Sequence, residues 1–574
     1  MTPLHRTLAQ LASLALIRGD SVEESLFVRA EALVRARQIN ADTDAGPLID
    51  DPPPDVDAEI IKRLRQMYEA GGWVLVESAL ADVPGDLRWL YESGAVTIDQ
   101  LAAIHRAIGV TSVADLIAAV REEKIRAIPG LDADLEAAVG AALPALRALT
   151  PRVPLGRATA IADAVLERLR AIPGVKWALP VGSLRRGQDM VGDIEIVAAT
   201  SQPADAIADL LTVPDSARVL HKSDRRLYLL IERIQVGVRL PDPENAGAAL
   251  LYLTGSAAHF EALRAHAAAS GWRLQVDGLR GSDGALHPSA TEDAIYAALG
   301  LPTIPPEIRE GTEEIALASR GELPALVARA DIRGDLHMHS LWSDGRDPDE
   351  TMVQGCVALG YEYMAITDHS PSSAATRNLT LDTVNKQADE IAELRERYPT
   401  IAILHGCEVD ILPDGRLDFP DRILDRFDIV LASLHDSAGH APDRLMKRYV
   451  SAMQHPLVTL ITHPTNRLVP HRRGYDLDYD RLFELAVEHR TAVEIDGAPS
   501  HLDLDGALAR RAIAAGATVA VNSDCHRGEM LAFQMHLGII TARRGWVEPR
   551  HVLNARSLGD VRAVIAAKRG GRTG

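Results

Sequence analysis

Cysteine is scarce. Cys356, Cys407 and Cys525 are the three in 574 residues, and no two form a CxxC pair. That spacing excludes a disulfide framework and a thiolate zinc finger. Aromatic residues make up 4%, so the cores must be built from Ala, Val, Leu and Ile. Positive charge is outweighed: 61 Lys and Arg face 80 Asp and Glu, for a net charge of −19. A broad DNA-gripping face needs positive potential, so any nucleic-acid contact is confined to local basic patches. No run of about 20 apolar residues occurs, which leaves no candidate membrane-spanning helix. The opening MTPLHRTLAQLASLALIRGD is interrupted by Gln10 and Ser13 and closed by charge. It reads as an amphipathic helix rather than a signal peptide. A reduced, cytoplasmic setting without a membrane partner is expected.

Hydrophobic residues make up 47%, ample for burial, and the length is too great for a single core. Residues 1 to 40 show helical periodicity. The acidic, proline-rich INADTDAGPLIDDPPPDVD reads as a loop, and helical patterns resume near Asp57 and run to about 150. From 155 to 300 the texture is mixed: GRATAIADAVLERLRAI is a helix, and WALPVGSLRRG, DIEIVAA, RLYLLI and IQVGVRL are short strands. A connector with helical pieces follows, and after 331 strands alternate with helices.

That last region carries the clearest signal. Seven apolar runs, GDLHMH, YMAITDH, IAILHGCEVD, DIVLASLH, LVTLITH, TAVEID and TVAVNSDCH, are separated mostly by helix-like segments. Such alternation predicts βα units around a parallel sheet or barrel. The runs end in His, Asp or Glu, where α/β folds place their chemistry. A polar group at a strand end costs little; in a buried strand centre it costs a great deal. The candidate ligands are His337, His339, Asp344, His369, Glu408, His435, His463, Asp524 and His526. Imidazole and carboxylate suit Zn, Mn or Fe better than Ca or Mg. One four-coordinate ion needs only four ligands, so this set would serve two or three divalent ions. His405, His440 and His455 read as lone structural histidines, and Cys407 and Cys525 as packing residues.

GDLHMHSLWSDG, AITDHS, GCEVD, ASLH, THPTNRL and VNSDCH resemble the motifs of the PHP (polymerase and histidinol phosphatase) domain over about 331–570. The resemblance implies a distorted (β/α)7 barrel, a trinuclear metal site at the nine residues above, and hydrolysis of phosphate esters. Asp344 and Arg467 are its expected catalytic residues, Arg467 as a holder of substrate phosphate.

Upstream, VGSLRRG (181–187) and VGDIEI (191–196) resemble the palm motif of the nucleotidyltransferase superfamily in its X-family DNA polymerase version. LLYLTGSAAHFEALRAHAAASGWRL (250–274) is similar to that family's YFTGS turn and the helix after it. The order of parts matches bacterial X-family DNA polymerases with a C-terminal PHP domain. The expected fold class is multidomain α/β: a helical N-terminal domain (1–90), a helix-hairpin-helix-like domain (91–150), a mixed α+β palm (151–245), a nucleotide-binding subdomain and linker (246–320), and the PHP barrel (331–574). In that family the barrel supplies 3′–5′ exonuclease activity.

Departures qualify the resemblance. The family's polymerase site holds two Mg²⁺ with three aspartates. Here the first two positions are Asp193 and Glu195, and the third is Gly237. Mg²⁺ demands near-ideal octahedral geometry, so it would be held weakly at the palm, and the general base for the primer hydroxyl is missing. Asp242 and Glu244, beyond Pro241, lie too far along to substitute. Gly182, Ser183, Arg186 and Gly192 match the triphosphate contacts, and Thr254, Gly255 and Ser256 the sugar-side turn. IRAIPGLDADLEAAV (125–139) resembles a helix-hairpin-helix in which Asp132 replaces the second glycine of the turn. An earlier hairpin and the family's lyase lysine are not recognisable. The expectation is a metal-dependent phosphoesterase acting on DNA ends, of 3′–5′ exonuclease type in DNA repair, on an impaired polymerase scaffold. Its partners would be DNA 3′ ends, gaps or single strands, and nucleotides. The alternatives are an active polymerase with exonuclease, a non-catalytic nucleotide or DNA-end binding module, and a small-molecule phosphatase.

Overall fold

The computed structural model describes residues 3–149, 152–212, 218–373, 377–435 and 441–570. The chain forms two compact units. One comprises Met1–Arg152, Thr159–Leu184 and Gly192–Thr303; the other comprises Val153–Ala158, Arg185–Val191 and Ile304–Gly574. Among the described residues no single helix is long and apolar enough to cross a membrane.

The first unit opens with a helical hairpin, α1 (Leu4–Arg18) and α2 (Ser21–Ala36). Leu4, Leu8, Leu11 and Ala15 form a buried stripe at helical spacing. Gly19, at φ 75°, ends α1 in the left-handed region, and the Asp20 carboxylate accepts from the Glu23 amide at 2.9 Å to start α2. The acidic stretch expected as a loop instead folds into a 3-10 turn (Asp42–Ala45) and a short helix (Gly46–Asp50). Pro47 sits in the first turn, where a missing N–H is harmless, and buried Leu48 and Ile49 hold the helix inward.

Further on, α3 (Val113–Arg121) and α4 (Ala133–Leu149) flank the hairpin-like segment. Asp132 accepts from the Leu135 amide at 2.8 Å and so caps α4. Its charge stabilises a helix start at the place where the family's turn would face a phosphate.

The palm is a five-stranded mixed sheet. Its strands are β1 (Val175–Pro180), β2 (Ile194–Thr200), β3 (Arg218–Lys222), β4 (Arg226–Ile231) and β5 (Ile234–Arg239), in the order β1-β2-β5-β4-β3. Only β2 and β5 run parallel. The strand expected through VGSLRRG ends at Pro180, and Gly182–Arg185 form a helical turn begun by Gly182 at φ 64°.

In the second unit seven strands run parallel in sequence order: β6 (Gly334–Asp335), β7 (Tyr363–Ile366), β8 (Ala402–Asp410), β9 (Ile429–Ser433), β10 (Val458–Ile461), β11 (Ala492–Asp496) and β12 (Val519–Asn522). The first and last strand ends meet. Met338 bridges Cys525, the His339 amide donates to the Cys525 carbonyl at 2.9 Å, and the Asp524 amide donates to the His337 carbonyl at 3.0 Å. The result is a nearly closed barrel with interleaved helices. Its strands are buried on both faces and rich in Val, Ile, Leu and Ala, as parallel sheets require. Cys356, Cys407 and Cys525 are buried in this core.

Candidate metal centre

All nine groups named from the sequence lie at the carboxyl end of the barrel. His337, His339 and Asp344 follow β6; His369 follows β7; Glu408 stands near the end of β8; His435, His463, Asp524 and His526 follow β9, β10 and β12. Their donor atoms gather in overlapping sets, each within 4.8 Å: His339, Asp344, His369 and His526; His337, Glu408 and His463; His337, His339 and Asp524; and His369, Glu408 and His435.

Glu408 is central and fully buried. Its Oε1 faces His463 Nε2 at 2.8 Å and His435 Nε2 at 3.3 Å, and its Oε2 faces His369 Nδ1 at 2.9 Å and both His337 and His339 Nε2 at 3.5 Å. Each oxygen thus faces imidazoles of both sets that contain Glu408. The ring nitrogens of His337 and His339 face each other at 3.1 Å. Oε2 of Glu408 and Nδ1 of His369 and His463 are buried without a hydrogen-bond partner. Buried lone pairs left without a hydrogen-bond partner among so many ligand groups fit a shared cation. Among the described residues every ion pair of Asp344, Glu408 and Asp524 is to imidazole, and none is to Lys or Arg. Six imidazoles and three carboxylates of this kind suit Zn, Mn or Fe.

A second layer fixes the ligands. Glu494 Oε1 lies 2.8 Å from His337 Nδ1, and Asp410 Oδ1 lies 2.8 Å from His435 Nδ1. Each carboxylate holds one ring nitrogen and turns the other inward, the usual outer shell of a metal-ligating histidine. Burial opposes charge on His435, but Glu408 and Asp410 outweigh it and raise the imidazole to about 9. Burial likewise opposes charge on Glu408, yet His369, His435 and His337 hold its carboxyl well below the usual range. The carboxylates call for positive charge, which protonated imidazoles or bound cations can provide.

Arg467 departs from expectation. Its Nη1 pairs with Asp189 at 2.7 Å, its Nε donates to the His501 carbonyl at 2.9 Å, and its Nη2 donates to the Leu502 carbonyl. With its donors so engaged it braces the loop after β11 and is not a free phosphate holder. His405 meets Gln387 and packs on Phe427, and His455 meets Asp421, both structural roles. His440 lies outside the described residues. Glu494, Asp410, Asp496 and His501 went unnamed in the sequence reading. TAVEID ends in Asp496, as five of the other six runs end in a candidate ligand, a usable signal; His501 in APSHLD carried none.

In the palm, Glu195, Gly237 and Tyr228 stand side by side across three strands. Tyr228 fills the space over the glycine: a Cβ there would meet its Cε1 at 2.8 Å and Glu195 Oε1 at 2.9 Å. Glu195 accepts from the Tyr228 hydroxyl at 2.5 Å and from Arg239 Nε at 2.8 Å. Arg239 also pairs with Asp115, the third residue of α3, at 2.7 Å and donates to Ser112 at 2.8 Å. Burial opposes ionisation of Asp115, but Arg239 and Arg226 overcome it and hold its carboxyl far below the usual range. Beside this network Asp86 is pushed well up by burial and then by Asp193. Asp242 is exposed and pairs with Arg225 at 2.7 Å. The Ser183 hydroxyl accepts from the Gly192 amide at 3.3 Å, and the Ser256 hydroxyl accepts from the His259 amide at 3.1 Å, starting the helix after Thr254 and Gly255. Arg186 falls in the other unit, where its carbonyl accepts from Arg544.

Residues 335–491 match the PHP domain model and residues 249–310 the DNA polymerase beta thumb model. The PHP match stops short of the strand that leads to Asp524 and His526. The DNA polymerase/3′-5′ exonuclease PolX of Bacillus subtilis (strain 168) is 35% identical over 506 residues, 88% of each chain. A probable phosphatase of Caldanaerobacter subterraneus subsp. tengcongensis is 30% identical over 177 residues, 29% of this chain and 65% of that one. A probable phosphatase of Syntrophotalea carbinolica is 26% identical over 231 residues, 38% of this chain and 90% of that one.

Proposed function

This chain belongs to the X-family DNA polymerases that carry a PHP domain, and from that premise we propose that it is a metal-dependent phosphodiesterase trimming DNA 3′ ends in the cytoplasm, on a scaffold whose polymerase site is impaired. One observation carries the reading: nine candidate ligand groups converge in the barrel, their carboxylates in no ion pair with Lys or Arg among the described residues, whereas the palm carboxylate Glu195 is already paired with Arg239.

His337, His339, Asp344, His369, Glu408, His435, His463, Asp524 and His526 would hold two or three divalent ions. Bound there, such ions supply a water that loses its proton near neutral pH and positive charge against the phosphate in flight. The chain's own residues do the rest. Glu408 joins the sets through its two oxygens. Glu494 and Asp410 keep His337 and His435 turned inward. The open rim is formed by Asp344, 27% exposed, and His526, 34% exposed, so a strand end enters past them and Asp344 is the carboxylate that meets it.

In the palm, Mg²⁺ would have to displace the Arg239 guanidinium from Glu195, and position 237 on the neighbouring strand is a glycine that offers no carboxylate. The residues that match nucleotide contacts, Ser183, Gly192 and the Thr254–Ser256 turn, retain a polar surface for a nucleotide or DNA end without completing the transfer site.

The test is cleavage of a 3′-recessed duplex and of a single strand with Mn²⁺, comparing wild type with Asp524→Ala. Wild type is expected to shorten the 3′ end and the variant to lose both metal and cleavage. A metal-loaded wild type that leaves DNA intact, or turns over an aryl phosphate in preference to it, overturns the reading. Primer extension across a one-nucleotide gap that disappears in Asp193→Ala overturns the impairment.

A further inference from the structure

The loop after β11 brings two unassigned groups to the edge of the metal centre. Asp496 ends β11 and is fully buried. Its Oδ1 accepts from the Ala498 amide at 2.6 Å, while its Oδ2 is buried without a hydrogen-bond partner. His501 stacks on the ligand His463, ring centroids 5.3 Å apart, and its Nδ1 is likewise buried without a partner. Ligand atoms of Asp496, His501 and Asp524 all lie within 4.8 Å of one another, in a set distinct from the one that Asp524 forms with His337 and His339.

The set is braced. Arg467 binds the carbonyls of His501 and Leu502, and Asp503 accepts from the amide and hydroxyl of Thr465 at 3.0 and 2.8 Å. A buried carboxylate oxygen and a buried imidazole nitrogen, both unpartnered and converging on a second carboxylate, carry a desolvation cost that a bound cation would offset.

We propose that Asp496, His501 and Asp524 form a further divalent-cation site, with the Asp524 carboxylate shared between it and the neighbouring His337–His339 set. One imidazole and two carboxylates select a transition ion such as Zn²⁺ or Mn²⁺. Three protein ligands leave a coordination position open, as in catalytic rather than structural sites. The inference rests on the proposed function, since it takes the adjoining nine-group cluster to be a metal centre.

The experiment uses the full chain as wild type, His501→Ala and the near-isosteric Asp496→Asn. Each is stripped with chelator and dialysed against Zn²⁺ alone. Bound zinc per chain is measured by elemental analysis and folding by circular dichroism. Each variant is expected to hold one equivalent less than wild type. Equal zinc in wild type and a folded variant overturns the site and leaves the nine-group centre standing. A folded wild type without zinc overturns both. Should neither variant fold, zinc-edge anomalous diffraction from wild type decides. A peak between Asp496, His501 and Asp524 supports the site, and its absence beside filled neighbouring sites overturns it.

Discussion

The palm and the barrel each bury a carboxylate at the position their folds reserve for chemistry, and they neutralise it in opposite ways. Glu195 is met by Arg239 and the Tyr228 hydroxyl, so both of its oxygens are satisfied from within the chain. Glu408 is met by five imidazoles, and one of its oxygens has no hydrogen-bond partner. A guanidinium is a permanent cation with a fixed fork of donors. An imidazole is a neutral ligand or a proton carrier according to its surroundings. The first arrangement carries its own positive charge, and the second calls for one from outside. Residue type at the counter-position therefore says more about whether a carboxylate cluster binds metal than the carboxylates do.

The sharpest way to break that contrast is to remove the internal cation. Arg239→Ala leaves buried Glu195 without its guanidinium and Asp115 with Arg226 alone, and the expected loss is about 3–5 kcal/mol of stability, read from urea unfolding. A loss below about 1 kcal/mol would mean that the pair is not the palm's counter-charge. The pH dependence follows from Asp115, whose folded pKa is depressed. Its contribution is complete above the unfolded value near 4 and fades as pH falls through the folded one. The gap between wild type and Arg239→Ala should therefore narrow below about pH 4.

In the barrel the equivalent change is smaller, because it would reach bound ions only through the candidate ligand His337. Glu494→Gln removes the charge that fixes the His337 ring while keeping the shape. Metal affinity should fall roughly 10–100-fold, measured by competition with a chelating dye. Unchanged affinity would show that His337 is oriented by packing alone.

How much of this was legible beforehand follows from where the contacts come from. Each of the seven apolar runs contains a barrel strand, because a strand buried on both faces must be apolar and its polar end must lie outside the sheet. The ligand positions come with those ends. The first run yields only Gly334–Asp335 as strand, since the chain turns at once to deliver His337 and His339. The Asp115–Arg239–Glu195 network was not legible, because it joins segments more than 40 residues apart and nothing local announces a tertiary pair. One part of it could have been read. Side chains alternate along a strand, so Arg239 shares a face with position 237 and is aimed at the gap that the glycine leaves. Arg467 misled for the same reason as the network: its partner Asp189 is distant in sequence.

The smallest expected effect is the most discriminating. If the palm lacked only its third carboxylate, Gly237→Asp would restore primer extension. The geometry argues that it does not. A Cβ at 237 would stand 2.8 Å from the Tyr228 ring and 2.9 Å from Glu195 Oε1, closer than real Cβ contacts allow, so the tyrosine or the strand must shift. The new carboxylate would then compete with Glu195 for Arg239 rather than leave both free for Mg²⁺. The expected extension by Gly237→Asp on a gapped primer is therefore no greater than that of wild type, even at high Mg²⁺. Robust extension from this single substitution would show that the arginine gives way readily, and that the palm and the barrel differ by one missing ligand rather than by the source of their positive charge.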